Sequence, residues 1–558
     1  MAAYAEGASA PAAMQAENFG CDLWVHIGRP VNGSIPIKLY NTMAGHTYKI
    51  RSRQDVSVGT WNLEKTLVGT AGQDFTETTV AMMNRPILFF IASQAGYEVG
   101  LDFVGIASQE SEQPGPDSQG AAGPNHFVEL VNGRIVVFDK TTGLRIPGEA
   151  MSLNQFFGGQ SMFDSRLVYD SASQAWVACS LDSPTPQIIL AVKSGTSPVP
   201  LSGWTNHVVS VSFPGAGLGP DSVTLGLDKN GIYMTTVQRS SLPSGELVNE
   251  AQTIVAVKKP EIYSGTPAVT RFEIDDQPAD FKVWSIQPAV NFDDPVAGGY
   301  VWLVAKGPPE NGPPYQGGAI YFRRLQWNGS MAEPVDLSWQ LLEMAPTYRD
   351  YFDFDQGSVT APQIGVDGNK GNLTAATGSR LTMAVVRNNI LWTCHHVGLT
   401  GPAGTYTDND TTGSQVNRSA IQWIKLQIGS AGQTLNYSMH GRIYDDCEGQ
   451  TDPFWYFYPS LMVNPAGDMV VGFSGSSANA FAGAYFSWRL ANGNTADRPI
   501  LIQPGQAFYS PSGFADYSAT CLDPVDENIF WTVQAYAKDV LETDDFWGTW
   551  IGRIDLRP

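Results

Sequence analysis

The sequence predicts an all-β protein, a seven-bladed β-propeller preceded by a small β-sandwich or jelly-roll-like domain. Three observations carry that expectation. One phrase, apolar run, Asx turn and second apolar run, recurs along the chain; a second phrase, a short apolar strand ending in a base, follows it; and amphipathic helices are missing between the copies. The clearest copy is FYPSLMVNPAGDMVVGF, Phe457–Phe473, where period-2 apolarity brackets an Asn-Pro-x-Gly turn. Further copies begin at His126, Ser165, Ser222, Pro288, Pro362 and Tyr517. Their turns carry Asn132, Asp170, Asp228, Asp293, Asp367, Asn464 and Asp523. The following strands end at Lys140, Lys193, Lys258, Arg324, Lys425, Arg489 and Arg553. Units of this kind repeating at roughly 40 to 95 residues, each supplying three or four strands, are the signature of propeller blades rather than of a tighter solenoid.

Taken in order, residues 1–18 (MAAYAEGASAPAAMQAEN) are small and polar, with nothing to bury, and are expected to be disordered. They lack the basic and apolar regions of a complete signal peptide. Residues 19–107 hold CDLWVHIG, IPIKLY, TYKIRSR, PILFFIA and YEVGLDFV, short strands without the blade phrase. They form the expected small domain. Residues 108–125 (SQESEQPGPDSQGAAGPN) read as a linker or lead-in, and the propeller is expected over 117–558. A strand near Phe103–Ile106 is suited either to closing the ring against the last strand or to completing the first domain.

Composition narrows the partners. Fifty-four acidic against 33 basic residues give a formal charge of −21, which repels nucleic acid and anionic membrane surfaces. A polysaccharide or cell-surface glycan, or a protein, is compatible with it. No apolar run is long enough for a transmembrane helix. Five Cys without CxxC spacing exclude a disulfide scaffold and zinc ribbons, and the absence of GxSxG, P-loop and HExxH patterns leaves serine hydrolase, NTPase and zincin chemistry without support. Acidity, few lysines and the propeller pattern predict a secreted or cell-surface protein.

FADYSATCLDPVDENIFWTVQAYA followed by WGTWIGRI, with FYPSLMVNPAGDMVVGF and DSQGAAGPNHFVELVNGRIVVFDKTTG, resembles large secreted or surface-attached bacterial β-propeller proteins, distantly similar to the sialidase-like propellers. The resemblance spans roughly 115–558 and leaves the first domain uncovered. It implies the fold and secretion, and it implies no defined activity. The Asp-box pattern SxDxGxTW of sialidases is not intact in any copy.

Residues at the start of each inner strand converge on the axial mouth of a propeller. Asp164, Arg166, Asp221, Tyr458, Asp516 and Tyr517 are therefore the candidate catalytic residues, since paired carboxylates with Tyr and Arg suit glycoside hydrolysis or a polysaccharide lyase. The alternative is that these polar groups only bond neighbouring blades. His126, Gln287 and Arg380 are substrate-binding candidates at the same mouth, and Arg166, Arg380 and Arg418 would form a carboxylate-gripping cluster. Three long insertions, Met344–Ser358, Leu399–Asn417 and Tyr444–Phe457, are expected to wall one face, with Tyr351 and Trp455 stacking on sugar rings or packing their own loops. Asp408 with Asp410, and Asp445 with Asp446, offer the hard oxygen ligands of a structural Ca²⁺. The same loops equally suit plain solvated acids. A non-catalytic adhesion or binding propeller is the second reading of the whole chain.

Overall fold

The computed structural model describes residues 3–5, 23–42, 46–53, 62–70, 75–83, 85, 88–94, 96–111, 113, 115–182, 185–213, 219–241, 247–259, 261–274, 284–294, 299–306, 316–336, 338–349, 360–365, 370–373, 380–406, 416–447, 449, 451–509, 514–541 and 544–556. Strands dominate, and the two α-helices among the described residues, Ser108–Ser111 and Leu153–Phe157, are a turn or so long.

The N-terminal part forms two sheets. Trp24–Ile27, Ser34–Tyr40 and Phe75–Ala81 pair antiparallel in one, and Asn62–Val68, Thr47–Arg53 and Phe89–Gln94 in the other. Ser34–Tyr40 alternates as its sequence does: Ile35, Ile37 and Leu39 are buried, and the residues between them are half-exposed. They meet Tyr48, Ile50 and Phe90 of the other sheet in one apolar core. Disorder was expected over 1–18, yet Ala3–Ala5 lies parallel to Val25–Ile27 and extends the first sheet.

The remainder is a ring of antiparallel sheets, a propeller arrangement. Four-stranded sheets start from Gln119–Ala122, Met162–Asp170, Gly219–Leu227, Trp455–Val463 and Ala519–Leu522. Between the third and fourth of these, the strands from Trp284 to Ile443 form one ten-stranded sheet. Its halves join through a single antiparallel pair, Arg349 with Gly398, and a two-residue parallel pair, Val290–Asn291 with Val385–Val386. The inner strands pack side by side all the way round, Gln119–Ala122 on Met162–Asp170 and so on through Met383–Arg387 to Ala519–Leu522, which returns to Gln119–Ala122. Strands between two neighbouring sheets bury both faces, which explains why Ala175–Asp182 and Trp455–Val463 are buried at every residue and read as near-continuous apolar runs.

Two boundaries move. Glu98–Ala107, whose end near Phe103–Ile106 suited either ring closure or the first domain, pairs antiparallel with the last strand, Asp544–Asp555, and is the outer strand of the closing sheet. Gly105 is required there, because a Cβ would lie 2.4 Å from Thr549 Oγ1 and 2.5 Å from Glu129 Oε2. The copy beginning at Pro362 is not an inner strand. Ala361–Ile364 and Lys370–Leu373 form a separate hairpin, and Gln363 fastens it by exchanging hydrogen bonds with the Tyr509 backbone at 2.6 and 3.1 Å. The inner strand of that region is Met383–Arg387.

Turn acids of one sheet are bonded by bases of the next, of which only Lys140 belongs to the repeated strand-end set. Lys140 bonds Asp523 at 2.9 Å, Lys259 bonds Asp170 at 2.5 Å, and Arg387 bonds Asp293 at 2.8 Å, each joining a base to the turn acid of the preceding sheet. The acids also close their own turns, as Asp228 does by accepting from Asn230 N, Gly231 N and the Tyr233 hydroxyl.

Candidate functional site

Inner strands enter the ring through a left-handed residue. Asp117, Asp164, Ser222, Ser285 and Tyr458 have φ between 44 and 55°. A register shift follows in the strands of Asp164, Ser222, Ser285 and Tyr458. Such bulges re-aim side chains at one end of a sheet. The strained residue stands six positions before the turn in each case: 117 and Gly123, 164 and Asp170, 222 and Asp228, 285 and Asn291, 458 and Asn464.

At this end of the ring four carboxylates and three guanidiniums gather around Tyr517. The Tyr517 hydroxyl donates a short hydrogen bond to Asp164 Oδ1, and the Arg166 guanidinium lies 3.5 Å above the Tyr517 ring centroid. Ser222 N donates to Asp164 Oδ2 at 3.0 Å, and Asp164 N donates to Asn132 Oδ1 at 3.1 Å. Asn132 Nδ2 and Asp516 N both donate to Asp117, each at 2.7 Å. Asp221 is ion-paired with Arg239, and Arg380 faces Asp516, Asp221 and Tyr517. A cavity opens among Arg166, Ser222, Ser285, Gln287, Arg380, Asp516 and Tyr517.

Burial and mutual repulsion set the protonation. Desolvation first, then the Asp221 charge, pushes Asp164 up to about 7, against hydrogen bonding from Tyr517 and the pull of Arg166. Asp117 is raised well above the carboxylate range by burial, Asp516 and Asp164; Asp516 is raised by burial, with Arg380 opposing. Burial also raises Tyr517, so the phenol is protonated at rest. The cluster thus sets three guanidiniums beside carboxylates whose charged forms burial disfavours.

Of the sequence-predicted residues, Asp164, Arg166, Asp221, Asp516, Tyr517, Gln287 and Arg380 come together here. Gln287 turns to the Leu381 carbonyl at 2.9 Å while lining the cavity. Others go elsewhere. Tyr458 packs edge-on against Phe457 and His396. His126 opens the second strand of its sheet, not the inner one, opposite Asp139. The first copy of the phrase is shifted by one strand because Gln119–Ala122 is too short and small to read as apolar. Trp455 is 8 % exposed within the core, so it is no sugar platform. Arg418 staples its own loop, bonding the carbonyls of Gly401, Pro402 and Thr405. Tyr351, Asp408 and Asp410 lie outside the described residues. Asp445 caps Cys447 N and Phe454 N, Asp446 pairs with Arg498 at 2.7 Å, and Cys447 is disulfide-bonded, so this trio is already engaged. Asp117 and Arg239 escaped the sequence reading. The six-residue spacing to Gly123 would have found the first; nothing in the sequence marks the second.

The inner strands run away from this end, so every connection from a second to a third strand, and from one sheet to the next, returns to it. Met344–Arg349, Leu399–Tyr406 and Tyr444–Cys447 therefore all lead from their sheets on the side of Asp164 and Tyr517.

No family model matches this sequence, and no curated protein matches it. Among solved structures, the chain is similar to the Hadza microbial sialidase Hz136, at 10% identity over 93% of this chain and 94% of that one, with a TM-score of 0.34. It is similar to the α-L-arabinofuranosidase Arb93A of Fusarium graminearum, at 10% identity over 70% and 92%, TM-score 0.36. A Synechocystis apocarotenoid oxygenase is similar at 11% identity over 86% and 93%, TM-score 0.34. The solved structures similar to the chain include sialidases and other enzymes, all at low identity.

Proposed function

We propose that the ring is a seven-bladed propeller, its ten-stranded sheet counting as two blades, and that its axial face cleaves glycosidic bonds in an extracellular acidic glycan. The observation that carries the reading is Tyr517 bonded to Asp164 under the Arg166 guanidinium, with Arg380 and the Arg239–Asp221 pair beside it. In this reading a sugar carboxylate is gripped by Arg380 with Arg239, and its anomeric carbon lies at the Tyr517 oxygen. The Tyr517 oxygen attacks the anomeric carbon as its proton passes to Asp164, while Asp516, raised by burial, protonates the departing oxygen. Water, giving its proton to Asp516, then cleaves the glycosyl–tyrosine bond, and Asp164 returns its proton to the phenolate, so that all three groups are restored. Secretion follows from the substrate and from the acidic, lysine-poor surface. A second reading, a glycan-binding propeller without turnover, is favoured by the same cations, because they hold an anion whether or not chemistry follows.

The test is a product screen on carboxylated and neutral polysaccharides. New reducing ends without unsaturated uronates are expected, from acidic substrates alone. Tyr517→Phe and Asp164→Asn should each lower kcat by about 10²- to 10⁴-fold with the fold intact. Unsaturated uronates would replace hydrolysis by elimination, and a thermal shift without products would favour the binding module.

A further inference from the structure

Below the site the ring is hollow. A cavity of about 100 Å³ follows the axis between the inner strands. Its upper end is formed by Arg166, Gln287 and Thr382, which also line the cavity holding Asp516 and Tyr517. Its lower end is formed by turn residues at the far side of the sheets, among them Ser171, Pro524 and Glu527. Small residues line it, among them Gly120, Ala121, Ala384 and Ala519. The lower mouth is polar: Arg387 bonds both Asp293 and Glu527 at 2.8 Å, and Glu527 is half-exposed.

We propose that this axial space is a conduit bringing water and small solutes to the site from the opposite face of the ring. Arg166 is the evidence for its hydration. The guanidinium is 9 % exposed, and its one hydrogen bond among the described residues goes to the Ser165 carbonyl at 3.2 Å. A guanidinium has five N–H donors, and those that face the two cavities Arg166 lines take water. The inference rests on the hydrolytic reading for its purpose, since each turnover consumes one water while a polymer covers the upper mouth. The conduit itself is independent of that reading.

Cys521 is a built-in reporter. It lines the axial space and is partly exposed, whereas the free thiols of Cys179 and Cys394 are 0 % exposed. Native full-length protein treated with methylmercury, followed by digestion and mass spectrometry, is expected to be modified at Cys521 before Cys179 and Cys394. Ala384→Leu, which narrows the axis, should slow modification of Cys521 by about tenfold, and Met462→Ala, which widens it, should speed it. Equal protection of all three thiols, or a Cys521 rate indifferent to Met462→Ala, would overturn the conduit even if Ala384→Leu fails to fold. Thiol rates that respond while no glycan is cleaved would leave the conduit standing and remove the proposed activity.

Discussion

Glu129 shows how one side chain couples the closed ring to pH. It sits fully buried on the second strand of its sheet, accepting from the Thr549 hydroxyl, while its Oε2 has no partner among the described residues. Burial pushes its carboxyl up to about 8. Between the ordinary carboxylate range and that value the folded state holds a proton that the unfolded chain releases, so stability is full at low pH and falls as pH rises toward about 8. The loss is on the order of 4 kcal/mol. Glu129→Gln is expected to remove this share, so that thermal melts from about pH 5 to about pH 9 fall less steeply than in the native chain. An unchanged slope would mean that Glu129 stays ionised within the core. Nothing in HFVELVNG announces this residue, because an acid in an alternating strand reads as a solvent-facing one. The turn acids were legible for the opposite reason: Asp170, Asp228 and Asp523 stand at a repeated position whose backbone demands an Asx.

At the scale of the element, the strand-end bases were readable to within one residue. Lys258 was the expected terminus of its strand, and it spends its charge on the Trp327 ring at 4.4 Å. Its neighbour Lys259 bonds Asp170 of the preceding sheet and the Asp228 carbonyl of its own. Strand alternation decides between the two, and sequence places strand ends only to a residue or so. With Lys259 4 % and Asp170 1 % exposed, the pair is a desolvated bolt between sheets. Lys259→Ala leaves Asp170 buried without its cation and is expected to cost about 3–5 kcal/mol, whereas the double change Lys259→Met with Asp170→Asn should recover most of it. Urea melts of the three chains check this, and equal losses would show that the ion pair, rather than the orphaned charge, sets the cost. The inner strands were harder to place. Gln119–Ala122 is short and small, and the Pro362 hairpin mimics the repeat phrase, so pattern alone mislaid one strand and invented another.

For the whole molecule, repetition made the architecture legible and closure made it ambiguous. The left-handed entry residues Asp117, Asp164, Ser222, Ser285 and Tyr458 share a backbone conformation but no residue type, so the convergence of Asp164, Asp221, Asp516 and Tyr517 had to be inferred from repeat position alone. Closure depends on a strand that precedes the ring in sequence. Glu98–Ala107 covers the edge of Asp544–Asp555, Arg145 bonds the Gly105 carbonyl at 2.8 Å, and the Thr549 hydroxyl joins Ile106 to Glu129. The preceding Tyr97 anchors the strand between Phe486 and Trp488. Removing residues 1–107 therefore bares a long edge strand and strands Glu129 and Thr549, and such a chain is expected to self-associate and melt without a cooperative transition. A chain of residues 96–558 keeps Tyr97 and the closing strand, and it should remain monomeric with a melt close to that of the full chain. Sedimentation and calorimetry of the two truncations decide the matter. If 96–558 unravels as readily as the shorter chain, the N-terminal sheets hold the ring together; if only the shorter chain fails, one strand does.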